Sequence, residues 1–363
     1  MNTNRVVVGM SGGVDSSVAA YILKQQGYEV IGVTMQIWPS DDPDVVEREG
    51  GCCSLTAVED ARRVANHLGI PFYVMNFQQV FDEKVISYFV DEYIKGRTPN
   101  PCIMCNRYIK FEELLRRSMA LDAYYVATGH YARIEYDDQK QRYLLKKSVT
   151  PAKDQTYALY TMTQYQLKHT LMPLGNYTKE QVREIAEKSG LVTANKPDSQ
   201  EICFVKDDDY AGFVQDRASG PVAPGYFVDT QGNVLGKHKG IIHYTIGQRK
   251  GLGISLGHPM YVVDIDPENN TVILGRDHEV YSREMLVDDV NLISVPSIDS
   301  PIRASVKIRY TAKEAPATIY PYEDDTLRVV FDEPQRAITP GQAAVIYQDD
   351  LVVGGGIIAK AVK

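Results

Sequence analysis

Cysteine is scarce in this chain, five in 363 residues. That is too few for a disulfide scaffold, and the odd number leaves one over in any all-disulfide arrangement. In a reducing compartment, clustered cysteines point to metal or redox chemistry instead. No apolar run approaches the roughly 20 residues of a membrane span, and the opening MNTNRVVVGM lacks the layout of a secretory signal. A cytoplasmic protein with no membrane partner is expected. There is no internal repeat and no low-complexity segment. The single C-x-x-C has no second copy, so it is at most half a zinc site. Asp and Glu are absent from Thr230 to Val263, in a chain of net charge −8. That stretch carries Lys237, Lys239, Arg249 and Lys250, with His238, His243 and His258. The overall acidity argues mildly against nucleic acid, whereas a local basic surface is the footprint of a phosphate backbone. A solvated loop with a chance charge bias is the alternative.

What is present is ordinary for a globular protein: 44% hydrophobic and 24% charged residues, in a chain long enough for two or three domains. Up to about Asp207, strand and helix patterns alternate. Val30–Met35, Phe72–Asn76 and Tyr124–Thr128 read as strands. Ala57, Val58, Ala61, Val64, Ala65 and Leu68 recur at helical spacing behind Ser54, a candidate N-cap. Phe81 to Ile94 and Phe111 to Met119 read as further helices, and Thr178-Lys-Glu-Gln181 as a capping box opening another. Such βαβα alternation predicts an α/β, doubly wound parallel sheet with ligands at the carboxyl ends of its strands. After Asp207, short β-rich runs are separated by turns such as Asp229–Gly232 and Asp266–Asn270. The expected organisation is 1–207, then two small β-rich domains, 208–282 and 283–363.

The most telling segment is Gly9-Met-Ser-Gly-Gly-Val-Asp-Ser16, directly after the apolar run that ends at Val8. A strand, a glycine-rich turn and a helix from Val14 form an anion nest, since Gly12 and Gly13 let the backbone approach a polyphosphate. Ser11 and Ser16 add hydroxyls, and Asp15 is suited to the Mg²⁺ that accompanies a nucleoside triphosphate. It is not a Walker A loop, because no Lys follows the glycines. S-G-G-x-D-S resembles the pyrophosphate loop of the ATP pyrophosphatases, which adenylate a substrate oxygen and release pyrophosphate. A second unusual segment is Thr98-Pro-Asn-Pro-Cys-Ile-Met-Cys-Asn106. Its two prolines predict an extended loop bearing Cys102 and Cys105. Cys203 lies far downstream, and Cys52 and Cys53 are adjacent, as core cysteines or as a sulfur relay.

Taken together, Gly9–Ser16, Pro99-Asn-Pro-Cys-x-x-Cys-Asn-x-x-Ile-Lys-Phe111, Ala127-Thr-Gly-His-Tyr131, Lys153-Asp-Gln155 and Cys203 resemble the bacterial tRNA-specific 2-thiouridylase family over nearly the whole chain. The resemblance implies ATP-dependent adenylation of the 2-oxygen of the wobble uridine in tRNAs for Lys, Glu and Gln, followed by displacement of AMP by sulfur. It implies Asp15 and Cys105 as catalytic residues, with Cys203 carrying a persulfide and Cys105 then closing a disulfide with it. Gly9, Met10, Ser11, Gly12, Gly13, Val14, Asp15, Ser16, Met35 and Gly129 would line the ATP site. Asn100, Pro101 and Cys102 would border the target base. Lys153, Asp154, Gln155, His130, Arg309, Tyr310 and Gln342 would touch tRNA. The 24 tyrosines are numerous enough to supply base stacking.

Cys102 departs from the family pattern, in which Asp often stands at that position. With Cys105 and Cys203 it gives three thiolates, the number that holds a [4Fe–4S] cluster with one open iron. Sulfur delivery from a persulfide and from cluster-bound sulfide both remain open, with a cysteine desulfurase or a relay protein as donor. Two rivals stand beside the thiouridylase. One is a ligase adenylating a small metabolite, which would release pyrophosphate without tRNA. The other is a metal-bearing RNA-binding protein, which would bind tRNA without turnover.

Overall fold

The computed structural model describes residues 1–38, 55–197, 202–205, 207–255, 257–323 and 325–362. Cys52, Cys53 and Ser54 lie outside them. Contacts divide the chain into two compact units.

The first unit comprises Met1–Val85, Cys102–Phe204 and Asp350–Val352. It opens with β1 (Asn2–Gly9), α1 (Val14–Gln25), β2 (Glu29–Gln36), α2 (Leu55–Leu68) and β3 (Phe72–Asn76). β4 (Ala123–Ala127), the hairpin β5 (Ala132–Asp137) and β6 (Arg142–Lys147), β7 (Thr170–Leu171) and α3 (Lys179–Lys188) follow. The sheet order is β3-β2-β1-β4-β7, parallel throughout. β1 is central and Val6, Val7 and Val8 are fully buried, as a strand covered on both faces requires. Val14, Val18, Ala19 and Leu23 of α1 share one core with Val6 and Val8, Val64 of α2, and Val182 and Ala186 of α3. The chain runs outward from β1 to β3, then returns to the other side of β1 at β4. This reversal opens a crevice at the carboxyl ends of β1 and β4, where such folds bind ligands. The expected α/β doubly wound sheet is therefore present.

Two features depart from the alternation expected here. First, β5 and β6 pair antiparallel, Ala132 with Lys147 through Asp137 with Arg142. The Asp137 carboxylate accepts from the Gln139 and Lys140 amides, a local turn device that competes with helix formation. Leu351 pairs with Lys146, the Lys147 amide donates to the Asp350 carbonyl at 2.7 Å, and Arg133 meets the Asp350 carboxylate at 2.7 Å. Second, the proline-bracketed cysteine segment is not an extended loop: a helix starts at Pro101 (Pro101–Met104) and continues as a wider π-helical stretch, Cys105–Glu113. Proline suits the first helical position, where its missing N–H is no loss. The helix buries Ile103, Met104, Ile109 and Phe111.

The second unit comprises Ile86–Pro101, Val205–Asp349 and Val353–Lys363. It contains β8 (Gly225–Asp229), β9 (Val234–His238), β10 (Tyr261–Asp266) and β11 (Thr271–Gly275), in the order β10-β11-β8-β9. β12 (Tyr281–Leu292), β13 (Ile302–Lys307), β14 (Ala315–Pro321), β15 (Leu327–Arg336), β16 (Ala343–Gln348) and β17 (Leu351–Val362) run β12-β15-β14-β13-β16-β17 and close through β12–β17. Closure leaves no open edge, and Val287, Ile319, Val329, Ile346 and Ile358 fill the barrel. A helix, Tyr210–Arg217, interrupts the β-rich half. Its Phe213 ring meets Phe89 at 6.1 Å. No helix among the described residues is long and apolar enough to cross a membrane.

Candidate nucleotide and thiol site

The glycine-rich turn follows β1 at the crevice. Gly12 has φ +69°, and a Cβ there would stand 2.2 Å from the Ala57 carbonyl oxygen, so no other residue fits. Gly13 is the N-cap of α1 and supplies no side-chain acceptor, which leaves the first amides of the helix to an anion. The Ser11 amide donates to Ser16 Oγ at 3.2 Å, and Ser16 Oγ donates to the Gly13 carbonyl at 3.2 Å. From β4, Gly129 closes in: a Cβ there would lie 2.7 Å from the Ser16 nitrogen. Met35, one residue before the end of β2, is half-buried, its Cε 3.7 Å from the position of a Cβ on Gly9. Met10 and Val14 were expected to line the ATP site, but both bury their side chains in the core. Only their main chain is left to face a ligand.

Asp15 sits in the first turn of α1. Lys179 Nζ donates to its Oδ1 at 2.8 Å and its Oδ2 at 2.9 Å, and the Tyr131 hydroxyl donates to Oδ1 at 2.8 Å. Tyr131 is itself clamped: its amide donates to Gln155 Oε1 at 2.9 Å, and the Gln155 amide donates to the Tyr131 carbonyl at 3.1 Å. Tyr131 closes the Ala127–Tyr131 motif but had no role assigned to it, and Lys179 is not evident from motif spacing at all. Lys179 follows a capping Thr, where a surface residue is the ordinary expectation.

Cys102 is exposed, while Cys105 and Cys203 are half-buried, and all three are thiols. Asn106, next to Cys105, is buried and donates from Nδ2 to the Ala158 carbonyl at 2.8 Å. Cys203 is placed by its neighbour Phe204, whose buried ring meets Phe81 at 5.8 Å and Trp38 at 6.5 Å. Among the described residues, no three Cys, His, Asp or Glu side chains stand together as metal ligands. Cys102, Cys105 and Cys203 therefore do not form the cradle that an iron–sulfur cluster needs.

Several side chains expected to touch tRNA are turned to internal use. Asp154 accepts from the Ser148 amide at 3.0 Å and the Thr156 hydroxyl at 2.5 Å, and Gln155 holds Tyr131. In the second unit, Arg309 donates to the carbonyls of Ile246 and Ala337 and to Thr339 Oγ1. Gln342 donates to the Thr98 carbonyl at 2.8 Å. Each of these four side chains makes at least one hydrogen bond within the chain that braces a turn. Gln342 thereby fixes the residues leading to half-buried Asn100 and buried Pro101. Lys153 is half-buried, and Tyr310 is 45% exposed.

His130 is buried, with Nδ1 2.6 Å from the Thr128 hydroxyl. Burial, and secondarily the Lys110 cation, hold its imidazole well below the ordinary 6.5. A contact from it to RNA would therefore be a hydrogen bond rather than an ion pair. As pH falls below 6.5, the unfolded chain takes up a proton that the folded chain refuses. Stability is then lost by at most about 1.4 kcal/mol per pH unit. Urea unfolding from pH 7.5 down to 5 should show this loss, and a smaller one in His130→Gln; equal slopes would refute it.

Residues 4–207 match the family described as tRNA methyl transferase HUP domain, 212–276 the tRNA methyl transferase PRC-barrel domain, and 282–358 the aminomethyltransferase beta-barrel domain. The chain is 65% identical over 358 residues to the tRNA-specific 2-thiouridylase MnmA of Acetivibrio thermocellus, covering 99% of this chain and 100% of that protein. It is 65% identical over 360 residues to MnmA 2 of Caldanaerobacter subterraneus subsp. tengcongensis, covering 99% of each. Identity to MnmA of Clostridioides difficile strain 630 is 62% over 357 residues, covering 98% of each. With its glycine-rich loop and thiols on such a frame, this chain belongs to the tRNA-specific 2-thiouridylase (MnmA) family.

Proposed function

We propose that this protein is an ATP-dependent tRNA-uridine 2-sulfurtransferase acting on the wobble uridine of tRNAs for Lys, Glu and Gln. The observation that carries the reading is one unit holding both a polyphosphate loop, Gly9–Ser16, and two half-buried thiols, Cys105 and Cys203. Methyl transfer, the word in the matched family's description, needs neither a pyrophosphate-releasing loop nor paired thiols. The three proposed domains are 1–207 for catalysis, 208–282 for gripping tRNA and 283–363 for positioning the anticodon arm. The setting is the cytoplasm.

Chemically, the uridine 2-oxygen attacks the α-phosphorus of ATP and pyrophosphate leaves. The loop amides and the start of α1 neutralise the leaving charge. One carboxylate plus phosphate oxygens and waters is an ordinary Mg²⁺ shell, and Asp15 would hold that ion, which supplies charge neutralisation when bound. The terminal sulfur of a Cys203 persulfide then attacks C2, and AMP departs. Cys105 thiolate attacks the Cys203 sulfur, breaking the S–S bond. The product is thiouridine plus a Cys105–Cys203 disulfide, which an external thiol must reduce. A cysteine desulfurase or a relay protein recharges Cys203. An iron–sulfur cluster enters no step of this reading, and the Cys102→Ala variant tests that choice.

The test is pyrophosphate release and nucleoside mass spectrometry with and without these tRNAs. Release and 2-thiouridine only with tRNA support the reading. Release driven by a small metabolite without tRNA would favour the ligase. In the second unit, Lys237, Lys239, Arg249 and Lys250 are exposed, and among the described residues no ion pair engages them. His238 is buried and structural, since its Nδ1 accepts from the Gly240 amide and its Nε2 lies 3.1 Å from the Asn270 carbonyl. Alanine at the four cations should weaken tRNA binding and flatten its salt dependence. The log–log slope should fall by roughly 0.7–0.9 for each phosphate that the patch no longer neutralises. An unchanged slope in filter binding would remove this patch from the interface.

A further inference from the structure

Lys179 is placed where ordinary stability would not put a lysine. It is 7% exposed and is the first residue of α3, at the positive end of that helix. Both the burial and the helix dipole disfavour its charge. What holds it there is Asp15, with Nζ at 2.8 and 2.9 Å from the two carboxylate oxygens, and the Tyr131 ring face at 5.9 Å. This ammonium reaches the first turn of α1 from 164 residues further along the chain. The glycine-rich loop itself has no lysine, although a polyphosphate carrying several negative charges sits most stably against a fixed cation.

We infer that Lys179 is the phosphate-binding cation of this loop, kept in place by Asp15 as a surrogate anion until a triphosphate takes over the ammonium. The inference rests on the nucleotide-site reading above and adds to it a named residue and an exchange of partners. Asp15 competes with phosphate for Lys179 in the absence of a divalent ion. When a divalent ion is present, it draws the Asp15 carboxylate to itself, and the ammonium turns to the phosphate. Tyr131, clamped by Gln155, steadies the carboxylate during the exchange.

Equilibrium dialysis of ATP and of adenosine reads this without any turnover. Lys179→Met should weaken ATP binding by about tenfold or more, with adenosine binding unchanged. Lys179→Arg, which keeps the charge, should recover part of the loss and provides a second variant if the methionine protein folds poorly. In EDTA, Asp15→Asn should bind ATP more tightly than the parent, because the competing carboxylate is gone. That gain should vanish in Asp15→Asn/Lys179→Met. Equal ATP affinities for the parent, Lys179→Met and Lys179→Arg would overturn the inference while leaving the nucleotide site intact. So would the absence of a gain in Asp15→Asn under EDTA. A parent protein that binds no ATP would overturn the site reading and this inference with it.

Discussion

Cys105→Ser is expected to abolish 2-thiouridine formation, by about 10⁴-fold or more, the scale on which removing a reacting nucleophile acts. tRNA-dependent pyrophosphate release should persist within a few-fold. The split follows from the geometry: Cys105 lies on the helix that begins at Pro101, whereas the phosphate loop is built from β1, α1 and β4. Adenylation thus loses none of its groups when the thiol goes. Cys203→Ser should give the same product loss, and alkylation followed by mass spectrometry should then find no persulfide at that position. Thiolation surviving in Cys105→Ser would dismiss it as the closing thiol. The same assay on Cys102→Ala separates the two sulfur routes. A cluster would need all three thiols, so thiolation by iron-free Cys102→Ala protein leaves the persulfide.

The second large effect is expected at Gly12→Ala. The left-handed φ of +69° costs a residue with a Cβ about 1–2 kcal/mol. The methyl would also press on the Ala57 carbonyl oxygen at 2.2 Å, which is main chain and cannot rotate away. Such overpacking adds about 1–3 kcal/mol. If the loop yields rather than α2, pyrophosphate release should fall on the order of 10²–10³-fold. Gly27→Ala is the matched control: its φ is +88°, yet a Cβ there meets nothing within 4 Å. It should lower the unfolding midpoint modestly and leave activity unchanged. Equal activity of the two variants would show that the loop tolerates a Cβ.

The sequence was legible where one local rule and the tertiary fold agreed. Val6–Val8 reads as a buried parallel strand and is one, and the glycine-rich turn after it sits at the crevice that the sheet order creates. Thr178 and Gln181 form the capping box that their spacing implied, Thr178 Oγ1 accepting from the Gln181 amide and Gln181 Oε1 from the Thr178 amide. The reading failed where one residue type has two local uses. Pro101 breaks a helix from inside but favours its first position, so an expected extended segment is helical. Two carboxyl-terminal contacts, Lys146 with Leu351 and Arg133 with Asp350, stabilise the β5–β6 hairpin, and a scan of neighbouring residues cannot see them. Lys179 was hidden for the same reason. Its partner, Asp15, stands at the other end of the domain's sequence, and only packing α3 beside α1 joins them. Asp154, Gln155, Arg309 and Gln342 were polar in the right motifs, but motifs do not tell a ligand contact from a brace.

Residues Asp350–Val352 belong to the first unit although nearly everything between Phe204 and Asp350 belongs to the second. This has a consequence for the order of events on the ribosome. The sheet that carries the phosphate loop emerges early, but the hairpin edge at Lys146 waits for Leu351. At typical elongation rates that wait is about 10–40 s. During that interval Arg133 lacks the Asp350 carboxylate and the β6 edge is unpaired, a state in which strands recruit the wrong neighbour. The first unit therefore closes only as the last residues of the second, Val353–Lys363, are being made.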